Sequence, residues 1–238
     1  MCAFNVLEIP KFRIGEITEP TNMREARASP QWPYWRQAVF SELGSLEKFG
    51  TYRIVRLPDG RRAVGCKWVF KIKWNPDGTV ARFKTRLVAQ GFTQRKGIDF
   101  HETFASVARM TSQRLVMAIA AVEGLELYTI DVENAYLNGA IDTKIYMKQP
   151  DGFAHPNYPD TKVWVLELLK VLYGLKQAGN IWHVELKLCV TELGFKHTTN
   201  NLCVYVITQN DVRIAMTIHV DDFLVATNKA NFEWLVAE

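Results

Sequence analysis

The chain has 238 residues, of which 48% are hydrophobic and 23% charged, and its formal net charge is +4. This is the composition of a globular protein that is long enough for one large domain or two small ones. No apolar run is long enough to cross a membrane and no signal-peptide core is present, so membrane-spanning classes are excluded. The cysteines are scattered without metal-type spacing, which indicates reduced thiols in an intracellular protein. They are Cys2, Cys66, Cys189 and Cys203.

The positive charge is concentrated in one segment. Between Arg61 and Lys96 there are ten Lys or Arg residues and a single acid, Asp77. That segment therefore carries +9 and the remainder of the chain −5. A basic patch of this kind favours polyanionic partners.

The N-terminal part of the chain contains two differently patterned segments. Residues 1–28 have weak hydrophobic periodicity and are expected to form a partly disordered extension. Ser29 and Pro30 then predict the start of a helix, which ends before Gly50. Its large apolar residues recur at roughly helical spacing, and we expect them in the core. They are Trp32, Trp35, Val39, Leu43 and Leu46.

Two alternating segments, 67–74 and 79–87, predict a β-hairpin around the Asn-Pro-Asp-Gly turn signal at 75–78. If Trp74 pairs with Thr79, Lys71 lies opposite Arg82, and six cations share one face. A solvated charged face is the usual explanation for such residues, but it does not account for the missing acids. We therefore favour a surface that contacts nucleic-acid phosphates. The six cations are Lys67, Lys71, Lys73, Arg82, Lys84 and Arg86.

The rest of the chain predicts helices that alternate with mostly antiparallel strands, which is the α+β class. One helix is predicted from Thr111 or Ser112 to Gly124, and another follows Gln177. Strands are predicted at residues 125–131, 145–147, 163–166, 202–208 and 212–218.

Adjacent carboxylates, Asp221 and Asp222, separate two apolar runs that are rich in β-branched residues, which predicts a tight hairpin turn. Like charges side by side repel each other, and a divalent cation would relieve that repulsion. A solvated turn is the ordinary alternative on these residues alone. Asp131 ends a predicted strand much earlier in the chain. If the fold unites the three acids, they would surround two cations ~3.5–4 Å apart, as in phosphoryl transfer.

Motifs along nearly the whole chain, from about Glu19 to Thr227, resemble the reverse transcriptase of copia-type (Ty1/copia) LTR retrotransposons. They occur in the order that the family has. Asp131-Val132-Glu133-Asn134-Ala135-Tyr136 resembles its first catalytic motif, and His219-Val220-Asp221-Asp222 stands where the family has Tyr-Val-Asp-Asp. The other matching segments are 35–57, 65–73, 82–92, 97–104, 146–153 and 172–178.

The resemblance implies an RNA-dependent DNA polymerase domain over residues 29–238, with the fingers and palm of a right-hand polymerase. It implies two Mg²⁺ ions, with Mn²⁺ as the alternative, and an RNA or DNA template with primer, dNTPs and no membrane as partners. Asp131, Asp221 and Asp222 would be the catalytic metal ligands. The implied nucleotide-binding residues are Lys84, Arg86, Tyr136, Gly174 and Gln177. The basic-face residues left for nucleic-acid binding are Lys67, Lys71, Lys73 and Arg82.

Departures from the family pattern lead to a second hypothesis. His219 replaces a Tyr, Ser106 replaces a Pro, and Gly179-Asn180 replaces a Pro-Arg pair, which would loosen the start of a helix. The sequence stops sixteen residues after Asp222, before the thumb and RNase H regions. We expect such a truncated domain to hold primer and template poorly. The alternative functions are an inactive nucleic-acid-binding remnant or a pseudogene product without a role. By family, the location would be a cytoplasmic virus-like particle or the nucleus.

Overall fold

The computed structural model describes Pro10 and residues 12–199, 201–209 and 212–237. The helices are α1 (Met23–Ala28), α2 (Trp32–Lys48), α3 (Met110–Glu123), α4 (Ala178–Glu192) and α5 (Lys229–Ala237). The strands are β1 (Tyr52–Arg56), β2 (Cys66–Trp74), β3 (Val80–Ala89), β4 (Glu126–Asp131), β5 (Ala140–Met147), β6 (Trp164–Lys170), β7 (Lys196–His197), β8 (Val204–Gln209), β9 (Val212–His219) and β10 (Asp222–Thr227). All pairings between these strands are antiparallel, so the predicted α+β class is confirmed.

The chain divides into two compact units. The first unit comprises Met1–His101 and Ala140–Lys176, and the second comprises Glu102–Gly139 and Gln177–Glu238. Three cysteines lie in the described residues, and all three are free thiols, as predicted. No helix within those residues combines the length and the hydrophobicity that crossing a bilayer requires.

In the first unit, α2 packs on the β2–β3 hairpin through a cluster of aromatic rings. Trp35 is 1% exposed, and its ring meets the rings of Phe70 and Phe83 edge-on at 5.3 and 4.6 Å. The prediction that Ser29 caps the start of this helix is wrong by two residues, because the residue that precedes the helix is Gln31. Ser29 instead closes α1, because its side chain donates a hydrogen bond to the Ala26 carbonyl at 2.8 Å.

The described part of the predicted N-terminal extension, residues 12–28, contains helix α1. Asn22 caps this helix, since its side-chain oxygen accepts the main-chain N–H of Glu25 at 3.0 Å. The Glu25 carboxylate in turn accepts the N–H of Thr21 at 2.8 Å. Residues 1–9 and 11, on which the expectation of disorder also fell, lie outside the described residues.

The β2–β3 hairpin forms where it was predicted, but its register is shifted. Lys71 lies opposite Lys84, not opposite Arg82. The turn is one residue longer than assumed, because Trp74 pairs with Val80. A bulge between Lys73 and Trp74 shifts the register by one further residue. Because side chains alternate with a period of two, this shift of two residues leaves the six cations on the predicted face.

A close approach of two backbones ties the end of β3 to residues 173–175 of the first unit. The Ala89 N–H donates to the Tyr173 carbonyl at 2.8 Å. A Cβ added to Gly174 would lie 2.2 Å from the Ala89 carbonyl oxygen, and one added to Gly91 would lie 2.1 Å from the Gly174 carbonyl oxygen. Gly174 also has a φ of +89°, so only glycine fits here without strain.

The second unit is a five-stranded sheet with the order β4-β10-β9-β8-β7 and helices on both faces. One face packs against α4 through a cluster that includes Trp182, Phe223 and Val225. The other face packs against α3 through Val116 and Ala226. Helix α3 ends at Gly124, which has the left-handed φ of 65° expected for a terminating glycine.

Gly174→Ala tests the close approach, with Gly97→Ala as its matched control. Gly97 has a similar φ of +81°, but nothing lies within 4 Å of the Cβ that alanine would add. We expect the control to lower the free energy of unfolding by about 1 kcal/mol through backbone strain. Gly174→Ala should cost at least about 2 kcal/mol more, because the backbones must separate. Urea denaturation followed by circular dichroism measures both, and equal losses would contradict the proposed packing.

Candidate functional site

Three side chains form a row across three adjacent strands of the second unit. Asp131, the last residue of β4, lies directly opposite Asp222, the first residue of β10. Asp222 also lies opposite His219, the last residue of β9. Residues paired in this way have Cα atoms about 4.5–5.5 Å apart and point to one face of the sheet. The strand register therefore places the two distant carboxylates side by side, with an imidazole next to them.

The two-residue turn between β9 and β10 carries Asp221. Its other residue, Val220, has a φ of 62°. A left-handed conformation is unfavourable for a β-branched residue and costs about 1–3 kcal/mol. Glycine is the usual choice at such a position in a two-residue hairpin turn. The strain is therefore local to the residue that precedes the two carboxylates.

Hydrogen bonds from two other elements hold this strained turn. The Trp182 indole N–H on α4 donates to the Val220 carbonyl at 2.6 Å, and Trp182 is only 7% exposed. The Val132 N–H, just beyond β4, donates to the Asp221 carbonyl at 3.0 Å. The turn is therefore fixed to the core helix on one side and to the Asp131 strand on the other.

The carboxylates are accessible at this end of the sheet. Asp131 and Asp222 are exposed, and Asp221 is half-buried. Within the described ranges, no three His, Cys, Asp or Glu side chains are grouped closely enough to hold a metal ion. The backbone thus brings the three acids to one end of the sheet, while their side chains do not close around one point. Carboxylate oxygens are the type of ligand that Mg²⁺ prefers in proteins.

Two predicted nucleotide-binding residues belong to the second unit. Tyr136 lies in the short helical turn after β4 and packs, half-buried, against the core that contains Trp182. Gln177 is buried immediately before α4. At Gly179-Asn180, where the sequence predicts a loosened helix start, the Asn180 side chain donates to the Phe104 carbonyl at 2.6 Å.

The remaining predicted residues belong to the first unit, most of them on the cationic face of the β2–β3 hairpin. Lys67, Lys73 and Arg82 are exposed there. Lys71 is not a free cation, because its ammonium group binds the Glu19 carboxylate at 2.5 Å. Glu19 also accepts the Ile72 N–H at 2.9 Å. Burial raises the pKa of Glu19, but these contacts outweigh it and lower the pKa overall.

Lys84 and Arg86 lie in the middle of the same face. The Arg86 guanidinium stacks over the Tyr173 ring, with its carbon 4.3 Å from the ring centroid. Burial and the neighbouring Arg86 lower the pKa of Lys84, as do Arg82 and Lys73. A bound anion would relieve this repulsion. The hairpin can therefore bind phosphate groups.

A second carboxylate approaches the hairpin from α2. Glu42 accepts the Leu87 N–H at 3.0 Å, and burial raises its pKa although Arg86 and Lys84 oppose that shift. Sequence reasoning missed Glu19, Glu42 and Trp182 as positioning residues. Each acts on a main-chain group far away in sequence, and neither periodicity nor a local motif signals such a contact.

Comparison with known proteins identifies similar sequences. A family model described as reverse transcriptase (RNA-dependent DNA polymerase) matches residues 49–233. The chain is 39% identical to the retrovirus-related Pol polyprotein from transposon TNT 1-94 of Nicotiana tabacum, over 89% of this chain and 16% of that protein. It is 38% identical to the Pol polyprotein from transposon RE2 of Arabidopsis thaliana, over 82% of this chain and 13% of the polyprotein.

A more distant similarity extends to yeast. The Transposon Ty1-ER2 Gag-Pol polyprotein of Saccharomyces cerevisiae is 27% identical over 82% of this chain and 11% of that polyprotein. The chain thus spans between 11% and 16% of the length of these three curated relatives.

Trp182→Phe tests the hydrogen bond that holds the acidic turn. The phenyl ring keeps most of the packing but leaves the Val220 carbonyl without its donor. We expect the free energy of unfolding to fall by about 1–2 kcal/mol. Trp234→Phe is the control, because that indole packs against the same core from α5. Equal losses in urea denaturation would show that lost ring volume, not the hydrogen bond, is responsible.

Glu42→Gln tests the buried carboxylate through the pH dependence of stability. Because the folded-state pKa of Glu42 is raised above 4.5, its protonated form stabilises the fold, and that stability is lost as pH rises through the folded pKa. Glutamine can accept the same N–H without ionising. The variant should therefore gain stability relative to the wild type between pH 4.5 and neutrality. Glu47→Gln makes the same change at an exposed position of the helix, and an equal gain in stability for both variants would contradict the role of burial at Glu42.

Proposed function

The chain belongs to the reverse transcriptase family found in the Pol polyproteins of copia-type retrotransposons, and from this we propose that it is their nucleotidyl-transfer domain. It would add deoxynucleotides to a primer 3′-hydroxyl on an RNA or DNA template. The observation that carries this proposal is the register that sets Asp131 opposite Asp222 beside the Asp221 turn. Unrelated surface acids have no reason to be aligned in this way.

In the proposed reaction the primer 3′-oxygen bonds to the α-phosphorus of a dNTP, and the bond from that phosphorus to pyrophosphate breaks. Two divalent ions, Mg²⁺ or alternatively Mn²⁺, supply activation of the hydroxyl and charge neutralisation at the leaving oxygen. Asp131 would hold these ions from the end of β4 and Asp221 from the turn between β9 and β10, and Asp222 would support them. The strained turn and its two hydrogen bonds keep Asp221 at the sheet end, so little reorganisation is required.

The two units would have separate tasks in this function. The second unit would be the palm, which carries the acids, and the first unit the fingers. Lys84 and Arg86 would contact the triphosphate, because their clustered charge is relieved by an anion. Lys67, Lys73 and Arg82 would contact nucleic-acid phosphates, and Lys71 would do so after leaving Glu19.

Three further residues would act near the incoming nucleotide, as the family resemblance implies. The Tyr136 ring would collide with a ribose 2′-hydroxyl and so select deoxynucleotides. Gly174 and Gln177 would lie close to the nascent base pair. The close backbone approach at Gly174 gives that residue a structural task as well. The intracellular location expected from the sequence stays a prediction.

A non-catalytic nucleic-acid-binding module is the second candidate. It is favoured by the absence, among the described residues, of three side chains grouped to hold a metal ion. Such a module would keep the basic hairpin face and bind polyanions through it. It would bind RNA without extending a primer, and the acids would be dispensable.

Addition of a single dNTP to a primer annealed to an RNA template distinguishes the two candidates. Addition of one nucleotide is a better readout than processive synthesis, because weak binding of the primer–template reduces a single addition less than it reduces many successive ones. With Mg²⁺, we expect the wild-type chain to extend the primer and Asp221→Asn to lose at least about 100-fold in rate, because a metal ligand is lost. Asp59→Asn, an exposed acid in the first unit, should retain full activity.

Each other outcome of this assay has a definite meaning. Binding of the primer–template without extension by the wild type would support the non-catalytic module. Extension that Asp221→Asn leaves intact would contradict the assignment of the acids. If the wild type neither binds nor extends the primer–template, both candidates are contradicted.

A further inference from the structure

A cavity of about 420 Å³ in the first unit gathers cations that lie outside the predicted site. Three distant segments of the chain line it, and each contributes one cation: Arg62, Arg95 and Lys148. All three residues are exposed. The one acid in the lining, Asp99, is 7% exposed, and its carboxylate accepts the Arg95 N–H at 2.8 Å. The lining therefore carries a net charge of +2 from three cations and one acid.

Main-chain hydrogen bonds hold together the two chain segments that carry Arg62 and Lys148. The Lys148 N–H donates to the Val64 carbonyl at 2.9 Å, and the Val64 N–H donates to the Tyr146 carbonyl at 2.7 Å. Arg61 reinforces this pairing by donating to the Lys144 carbonyl at 2.5 Å while it stacks over the Tyr146 ring. The backbones that carry Arg62 and Lys148 are thus held in place before any ligand binds.

The cavity also continues the basic face of the hairpin. Gln90 and Gly65, which both line it, form the next pair after the last rung of the β2–β3 ladder, since the Gln90 N–H donates to the Gly65 carbonyl at 2.7 Å. The period of two puts this pair on the same face as Lys67 and Lys73. From Lys73 to Gly65 the strand spans roughly 26 Å at about 3.3 Å per residue.

The basic face from Lys73 to Gly65, together with the cavity, forms a continuous basic track. The length of this track decides which anion it fits. Phosphates repeat about every 3.4 Å along each strand of a duplex and are farther apart in an extended single strand, so a basic surface of roughly 26 Å would contact several successive phosphates of either. A free phosphate or a single triphosphate would occupy only one end of it. A cavity of this size also lies within the range of small-ligand pockets, so it has room for a phosphate with its sugar.

We propose that Arg62, Arg95 and Lys148 form a binding site for the phosphate backbone of a nucleic-acid strand, continuous with the basic hairpin face. The inference rests on the proposed function only in that nucleic acid is the partner. It assigns part of the binding energy to residues that are not among the nucleic-acid-binding residues predicted from the sequence.

Salt-dependent binding of a fluorescein-labelled 20-nucleotide oligo(dT), measured by anisotropy, tests the site. The triple variant Arg62→Glu, Arg95→Glu, Lys148→Glu should bind at least about tenfold more weakly. The slope of log K against log salt should also fall by about 2, because each lost contact on a single strand removes about 0.7. The triple Gln variant should show the same direction, and circular dichroism checks that both variants are folded.

Two sets of variants separate the possible explanations. Arg24→Glu, Lys48→Glu, Lys162→Glu makes the same charge change at exposed residues of the first unit outside the cavity, and should bind nearly as well as the wild type. If Lys73→Glu, Arg82→Glu weakens binding but the cavity triple variants do not, the inference fails and the proposed function stands. If the wild type binds no oligonucleotide, both fail.

Lysine acetylation read by mass spectrometry locates the contact directly. Oligo(dT) should slow the acetylation of Lys148 several-fold and leave that of Lys162 unchanged. Inorganic pyrophosphate is the competing probe. If pyrophosphate protects Lys148 as well as the oligonucleotide does at equal phosphate concentration, the cavity is a small-anion site and the proposal is overturned.

Discussion

The antiparallel register of β4 against β10 is the constraint on which the candidate site depends. It sets Asp131 opposite Asp222, although ninety residues separate the strand end from the hairpin turn. A slip of one residue would turn one of the two carboxylates to the opposite face of the sheet. Apolar residues of both strands specify the register, because Phe223 and Val225 of β10 and the half-buried Tyr128 and Ile130 of β4 pack on the helix α4 side of the core. Hydrophobic packing on one face thus decides which charges meet on the other.

Like charges are concentrated at both candidate sites. At each site, hydrogen bonds to main-chain groups hold the segments that carry those charges in place. The acids belong to the second unit and the basic hairpin to the first. At the turn, Val220 adopts a strained conformation that the Trp182 and Val132 hydrogen bonds maintain. On the hairpin, Glu19 and Glu42 bind main-chain N–H groups of the two strands and place negative charge beside the cations. Repulsion that would open an isolated hairpin is thereby contained, and a ligand of opposite charge would relieve the remainder.

The hairpin illustrates which errors of sequence reasoning matter. Its register differs from the predicted one by two residues, yet its faces are the predicted ones. The alternation of polar and apolar residues encodes the faces, and burial against α2 enforces them. The alternation does not predict the bulge beside Trp74. An extra residue next to the turn can belong to the turn or to either strand without changing the pattern of polar and apolar residues. An error of one residue would have placed the cations of β2 and those of β3 on opposite faces of the hairpin.

The sequence by itself determined the α+β class, the basic face of the hairpin, the end of α3 at Gly124 and the acidic turn at Asp221. All of these depend on residues close together in the chain, where periodicity and turn chemistry act. Only the tertiary structure decided that Ser29 closes α1, that Gly174 packs on the Ala89 backbone, and that Arg62, Arg95 and Lys148 share a cavity. These contacts join segments far apart in the chain, and packing of the whole unit determines which distant residues meet.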